Sequence, residues 1–146
     1  MRLPTLSTLA PLVLLAACEQ PAAEVEPEPA TPAIILGGVD LGQPVRVSGT
    51  EPFWGIEITG QTLTYSGVDR PEQTATNPGP VVQGTTAVIT TTTSQNSALV
   101  VTLIDTDCSD GMSDRVYPLT AKVEIGGETL QGCAISEAAL AALPPA

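Results

Sequence analysis

The chain predicts an all-β fold, a small antiparallel barrel or compact sandwich of six to eight strands with one short C-terminal helix. Three observations predict it. Apolar and polar residues alternate with period two along several short runs, turn-forming residues separate those runs, and Thr, Val and Ile recur throughout 36–143. So many short strands in ~100 residues favour closure, because a closed sheet has no exposed edge to protect.

The elements follow in order. Residues 44–48 make a first strand opened by Pro44. Trp54, Ile56 and Ile58 alternate with Phe53, Gly55 and Glu57. Gly60-Gln61 turns the chain, and Leu63 and Tyr65 then alternate with Thr62, Thr64 and Ser66, completing a hairpin. Runs 85–93 and 97–104 form a second hairpin around Ser94-Gln95-Asn96, with threonines on a solvated face. In the third, Tyr117, Leu119, Ala121, Val123 and Ile125 share one face, Gly126-Gly127 turns, and 128–134 returns. Ser136 is placed to cap a helix over 137–143, with Glu137 at its positive end and Pro144-Pro145 stopping it. Leu140 and Leu143 are expected to cover an open end or edge of the sheet.

Ahead of this domain the composition changes twice. Arg2, an uncharged stretch over 3–17 and the sequence Leu15-Ala16-Ala17-Cys18 have the layout of a bacterial lipoprotein signal, so 1–17 is expected to be removed and Cys18 lipidated. The stretch contains Pro4 and Pro11 and falls short of the ~20 apolar residues that span a bilayer. Residues 18–35 read as the lipidated cysteine and an acidic Pro/Ala/Glu tether, and 36–146 as the folded domain. From Cys18 onward the chain carries sixteen acidic and four basic residues. That charge disfavours nucleic acid and anionic lipid as partners and favours steering of basic proteins, leaving the lipid to hold the chain at the membrane. Glu19, where an aspartate would signal inner-membrane retention, points to the periplasmic face of the outer membrane of a Gram-negative cell.

With Cys18 lipidated, Cys108 and Cys133 remain, and an oxidising envelope favours a structural disulfide between them. A metal pair or a reactive thiol is the rival reading. The chain has no histidine, so two cysteines alone make a poor zinc site, and no metal or other cofactor is expected.

Two constellations stand out: Gly49-Thr50-Glu51-Pro52-Phe53-Trp54, and Cys108-Ser109-Asp110-Gly111-Met112-Ser113-Asp114 with Tyr117-Pro118 and, later, Gly132-Cys133. In these residues the chain resembles an uncharacterised family of bacterial envelope lipoproteins, whose pattern is Gly-x-Glu-Pro-x-Trp, Cys-x-Asp-x-Met-Ser with Tyr-Pro, then Gly-Cys. The resemblance covers about residues 45–135 and implies an all-β lipoprotein domain with a disulfide. Some members precede a membrane-bound lysozyme-inhibitor domain in one chain. That architecture is the source of a lysozyme-directed reading of function.

Glu51, Trp54, Asp110, Met112, Ser113, Asp114 and Tyr117 are the candidate binding residues. Four of them also have a structural explanation: Trp54 as the largest core side chain, Met112 as a filler beneath its loop, and Glu51 and Asp110 as acceptors of backbone N–H groups. Asp105, Asp107, Asp110 and Asp114 invite a calcium reading, but the spacing departs from an EF-hand at its sixth and twelfth positions. Absence of histidine removes Ser-His and Cys-His nucleophiles. The expected function is a non-catalytic binding module for a protein, such as a basic lysozyme, or for an envelope component. The alternative is a cell-wall glycan enzyme using paired carboxylates such as Glu51 and Asp110.

Overall fold

The computed structural model describes residues 32–144. The expected signal segment, Cys18 and most of the expected tether lie outside the described residues. Pro32–Ala146 forms a compact unit of its own, and backbone pairing already begins at Ile35, one residue before the expected start of the domain.

Thirteen strands and a helix follow one another. β1 (Ile35–Leu36) and β2 (Val39–Asp40) make a hairpin that turns at Gly37-Gly38. Then come β3 (Val45–Thr50), β4 (Phe53–Thr59), β5 (Thr62–Gly67), β6 (Gln73–Thr76), β7 (Val81–Gln83), β8 (Thr86–Thr92) and β9 (Ala98–Ile104). A small hairpin of β10 (Cys108–Ser109) and β11 (Val116–Tyr117) leads to β12 (Leu119–Ile125), β13 (Glu128–Ser136) and α1 (Glu137–Ala142). Nine strands join in one antiparallel sheet in the order β6-β5-β4-β3-β13-β12-β9-β8-β7.

The two ends of that sheet meet. Ala75 bridges Thr93, and the Ser94 N–H donates to the Thr74 carbonyl at 2.7 Å. Thr91 Oγ1 donates to the Thr76 carbonyl at 2.8 Å, and Thr93 Oγ1 to Gln73 Oε1 at 2.7 Å. β8 therefore pairs with β7 along its first half and touches β6 at its end. β6 and β7 are two stretches of one edge broken by Asn77-Pro78-Gly79-Pro80, whose prolines have no N–H to give a ladder. Both stretches lie outside the expected strands, and they bring the sheet to nine where six to eight were expected.

Period-two alternation is realised strand by strand. Val45, Val47, Trp54, Ile56, Ile58, Leu63, Tyr65, Ile89, Leu99, Val101, Leu103, Leu119, Ala121, Val123 and Ile125 are buried inside the curved sheet, and their neighbours in sequence face outward. The expected hairpin turns at Gly60, Ser94 to Asn96 and Gly126-Gly127 are present, as are the solvated threonines.

Two expectations are corrected. Tyr117 does not share a face with Leu119: Pro118 interrupts the strand, and Tyr117 packs with Cys133 and Ile135 in a second cluster on the outer side of the sheet. α1 does not cover an open end. Its Ser136 cap receives the Ala139 N–H at 3.2 Å as expected, but Leu140 and Leu143 pack on that same outer cluster. Leu36, Val39 and Leu41 of the β1–β2 hairpin instead join the main core, with Gly37 seated against Leu119.

Candidate functional site

The segment 105–118 is laid over the outer cluster and tied at both ends. Cys108 forms a disulfide with Cys133 of β13, closing a sequence separation of 25 residues. Thr50 Oγ1, at the end of β3, donates to the Asp110 carbonyl at 3.2 Å. Between these ties the Asp110 carboxylate organises the turn. Oδ1 accepts the Met112 N–H at 3.0 Å and the Ser113 N–H at 2.8 Å, while Oδ2 accepts the Ser113 hydroxyl at 2.8 Å and the Tyr117 hydroxyl at 3.1 Å. A short acidic side chain two and three residues ahead of free N–H groups is a turn-former for this reason.

These donors stabilise the charged form. The Ser113 N–H, then the Met112 N–H and the two hydroxyls, lower the Asp110 pKa from 3.8 to about 2. Burial first, then the hydrogen bond to Asp110 and the Asp110 charge, raise the pKa of Tyr117. Because the folded pKa of Asp110 is depressed, the order that its carboxylate confers is complete above pH 4 and is lost as the pH falls toward 2. A carboxyl-carbon NMR titration is expected to place the Asp110 midpoint near 2, with the Met112 and Ser113 amide resonances moving over the same range; a midpoint near 4 would contradict the network. Asp110→Asn is expected to speed hydrogen exchange at those two amides.

Trp54 lies at the other side of Thr50. It is buried, stacks on Tyr65 with ring centroids 6.5 Å apart, and Arg70 stands 5.6 Å above the Tyr65 ring. Arg70 also donates to the Ile125 carbonyl and pairs with Asp69 and Glu128, strapping β12 and β13 to the loop after β5. Two glycines make room for the indole. A Cβ on Gly49 would stand 2.3 Å from Trp54 Nε1, and one on Gly132 would stand 2.1 Å from the Ser48 carbonyl and 3.0 Å from Trp54 Cζ2. Both constellations of the sequence therefore meet at β13, where Gly132 approaches Trp54 on the inner side and Cys133 carries the disulfide on the outer side. Among the described residues Trp54 Nε1, the Tyr65 hydroxyl and Arg70 Nε have no hydrogen-bond partner, and burial, followed by Asp69, raises the Tyr65 pKa.

The seven candidates separate accordingly. Trp54 and Tyr117 are buried, and Asp110 and Ser113 are engaged with each other and with the turn. Glu51, Met112 and Asp114 remain exposed, and among the described residues no side-chain hydrogen bond or ion pair occupies Glu51 or Asp114. Met112 is 68% exposed, so it does not fill space beneath its loop, and the Glu51 carboxylate accepts no N–H from a neighbouring loop. A hollow of about 550 Å³ is lined by Glu51, Asp110 and Met112 with Thr50, Leu130 and Gln131. Met112 also lines an adjoining hollow of about 590 Å³ with Asp114, Val116 and Leu143. Phe53, 55% exposed, borders a third with Thr50 and Trp54. The sequence marks Phe53 only as alternating with the inward residues of its strand, and does not single out Val116 as a surface residue.

Charge is unevenly compensated. Residues 32–144 hold twelve acidic and four basic side chains. Arg46 pairs with Glu57, Arg70 with Asp69 and Glu128, and Lys122 with Glu124, while Arg115 donates to the Pro144 carbonyl. Among the described residues Asp40, Glu51, Glu72, Asp105, Asp107, Asp110, Asp114 and Glu137 have no ion-pair partner, and five of these eight lie at Glu51 and in 105–114. Among the described residues no group of three Asp, Glu, Cys or His side chains is arranged to hold a metal ion. No helix among them is long and apolar enough to cross a membrane. Set against family models, curated proteins and solved structures, the chain matches none.

Proposed function

We propose that this chain is a lipid-anchored envelope protein that binds a basic protein, without turnover, through the surface running from Glu51 across Met112 to Asp114. The observation that carries this reading is the residue set left over once structure is accounted for. Two uncompensated carboxylates flank an exposed methionine along two adjoining hollows that share it. An adaptable apolar side chain between unpaired anionic groups suits the contact surface of a cationic partner, and the excess negative charge speeds encounter. A muramidase of the lysozyme type is the partner class that the motif resemblance suggests. The Leu15-Ala16-Ala17-Cys18 sequence supports anchoring through Cys18, and Glu19 supports the outer membrane.

The glycan-enzyme alternative is weaker on chemical grounds. A general acid must hold a proton near neutral pH, and Asp110, with its pKa lowered to about 2 and both oxygens accepting internal donors, is unsuited to that role or to attack on a sugar.

Titration of Pro32–Ala146 against a C-type lysozyme, following direct binding and cell-wall lysis at low and physiological salt, tests the proposal. Saturable inhibition that weakens with salt is expected. Glu51→Gln and Met112→Ala are each expected to weaken binding several-fold, about 1 kcal/mol, with unchanged melting. Absence of binding in both salts would reject a lysozyme partner; full affinity in both variants would reject this surface.

A further inference from the structure

From Gln73 to Ile104 the sequence contains no Asp, Glu, Lys or Arg, although the chain carries a net charge of −11. These residues form β6, β7, β8 and β9. One flank of the sheet is therefore covered outwardly by uncharged side chains alone, chiefly Thr and Val. Among the described residues β7 lies at the end of the strand order and has a neighbour on one side only. The other terminal strand, β6, is occupied by its bonds to Thr91, Thr93 and Ser94. All three residues of β7 are exposed, Val81 at 64% and Val82 at 39%, and beside them Pro78, Val81, Gln83 and Val88 line a hollow of about 600 Å³.

We propose that this edge pairs with the same edge of a second copy of the chain, β7 against β7 in antiparallel sense about a two-fold axis. Unpaired strand edges are templates for further strands, and proteins that remain apart usually place a lysine or an inward charge on them. Here no charge stands on the edge or on either strand behind it. Electrostatics selects the occupant. Two copies of one acidic chain repel each other over most of their surfaces, and this flank is where they approach at least cost. A basic partner is steered instead to the uncompensated carboxylates of Glu51 and 105–114. An isologous contact also requires a surface complementary to itself, which Val81, Val82 and Gln83 satisfy without pairing like charges. Pro80 and the three-residue length keep the shared ladder short, so the pair is reversible and forms best where the chain is concentrated.

The test uses the full chain in cells. Val82→Cys places a thiol at the middle of the edge, and mild oxidation followed by a non-reducing gel reads its partner. A dimer of twice the chain mass is expected, well above the level given by the unaltered chain and by Lys122→Cys, whose exposed position on β12 lies three strands along the sheet. Adding Val81→Lys to Val82→Cys is expected to reduce the dimer at least several-fold. Dimer no more abundant than with Lys122→Cys, an adduct of any other mass, or a dimer indifferent to Val81→Lys would each overturn the proposal.

Discussion

Gly132→Ala is expected to destabilise the domain by ~3 kcal/mol or more, a shift of roughly 10 °C or more in melting temperature for a domain of this size. The added methyl meets the Ser48 carbonyl at 2.1 Å, and that obstacle is backbone in a paired strand. Relief requires β3 and β13 to part near the pair Cys133 and Ser48, where the barrel wall, the disulfide and the Trp54 packing meet. Gly55→Ala is the control. Its new Cβ meets the end of the Arg46 side chain at 3.1 Å, which swings aside at little cost, and the Val47 carbonyl at 3.4 Å, an ordinary van der Waals contact. Urea unfolding of the two variants separates tight approach from glycine replacement as such; equal stabilities would contradict the contact. Trp54→Ala, which empties the space that Gly49 and Gly132 leave open, is expected to cost ~3–5 kcal/mol. Combining it with Gly132→Ala is not expected to restore stability, because the nearer clash is with Ser48 and not with the indole.

Loss of the Cys108–Cys133 disulfide is expected to have the second large effect. Freeing a 25-residue separation releases about 3 kcal/mol of chain entropy to the unfolded state. Cys108→Ser should therefore melt several degrees lower, and a reductant should lower the melting of the parent chain but not of the variant. Its local consequence differs from that of Gly132→Ala. The disulfide ties the 105–118 segment to β13, so its loss frees the turn that carries Met112 and Asp114 while the inner core of β12 and β9 is untouched. Amide exchange is expected to rise first at Met112 and Ser113. Uniform acceleration across β9 and β12 would show that the crosslink supports the barrel itself.

Much of this arrangement was legible in sequence because it rests on local rules. Period-two alternation placed Trp54, Ile56, Leu63, Tyr65, Leu119 and Val123 inward, since side chains of a strand alternate between faces whatever the strand pairs with. The Gly60, Asn96 and Gly126 turns were legible because positive φ there favours Gly or Asn. Ser136 was legible as a cap because helix N-termini leave N–H groups unbonded. The cysteine pairing was legible from the count, once Cys18 is set aside and an oxidising envelope is expected.

Other features depended on which surfaces meet. Two-residue strands such as β1 and β2 are too short to show a period. β6 and β7 were missed because Asn77-Pro78-Gly79-Pro80 reads as a loop and only the Thr93 contact joins them to one edge. Pro118 redirected Tyr117 to the outer cluster, a choice invisible to a pattern that continues through it. The roles of Asp110 and Met112 were decided by hydrogen-bond supply. Four donors converge on the carboxylate of Asp110, and satisfying them draws the turn around it so that Met112 is left in solvent.

By itself, then, the sequence determined the all-β class, the inward and outward residues of the main strands, the helix cap and the acidic character of the domain, because alternation, turn chemistry and charge are properties of neighbouring residues. Tertiary structure alone decided that Gly49 and Gly132 both enclose Trp54, that Asp110 is consumed within its turn, and that Glu51, Met112 and Asp114 remain free along one surface. Those outcomes depend on close packing and hydrogen-bond satisfaction between segments far apart in the chain, which no local pattern encodes.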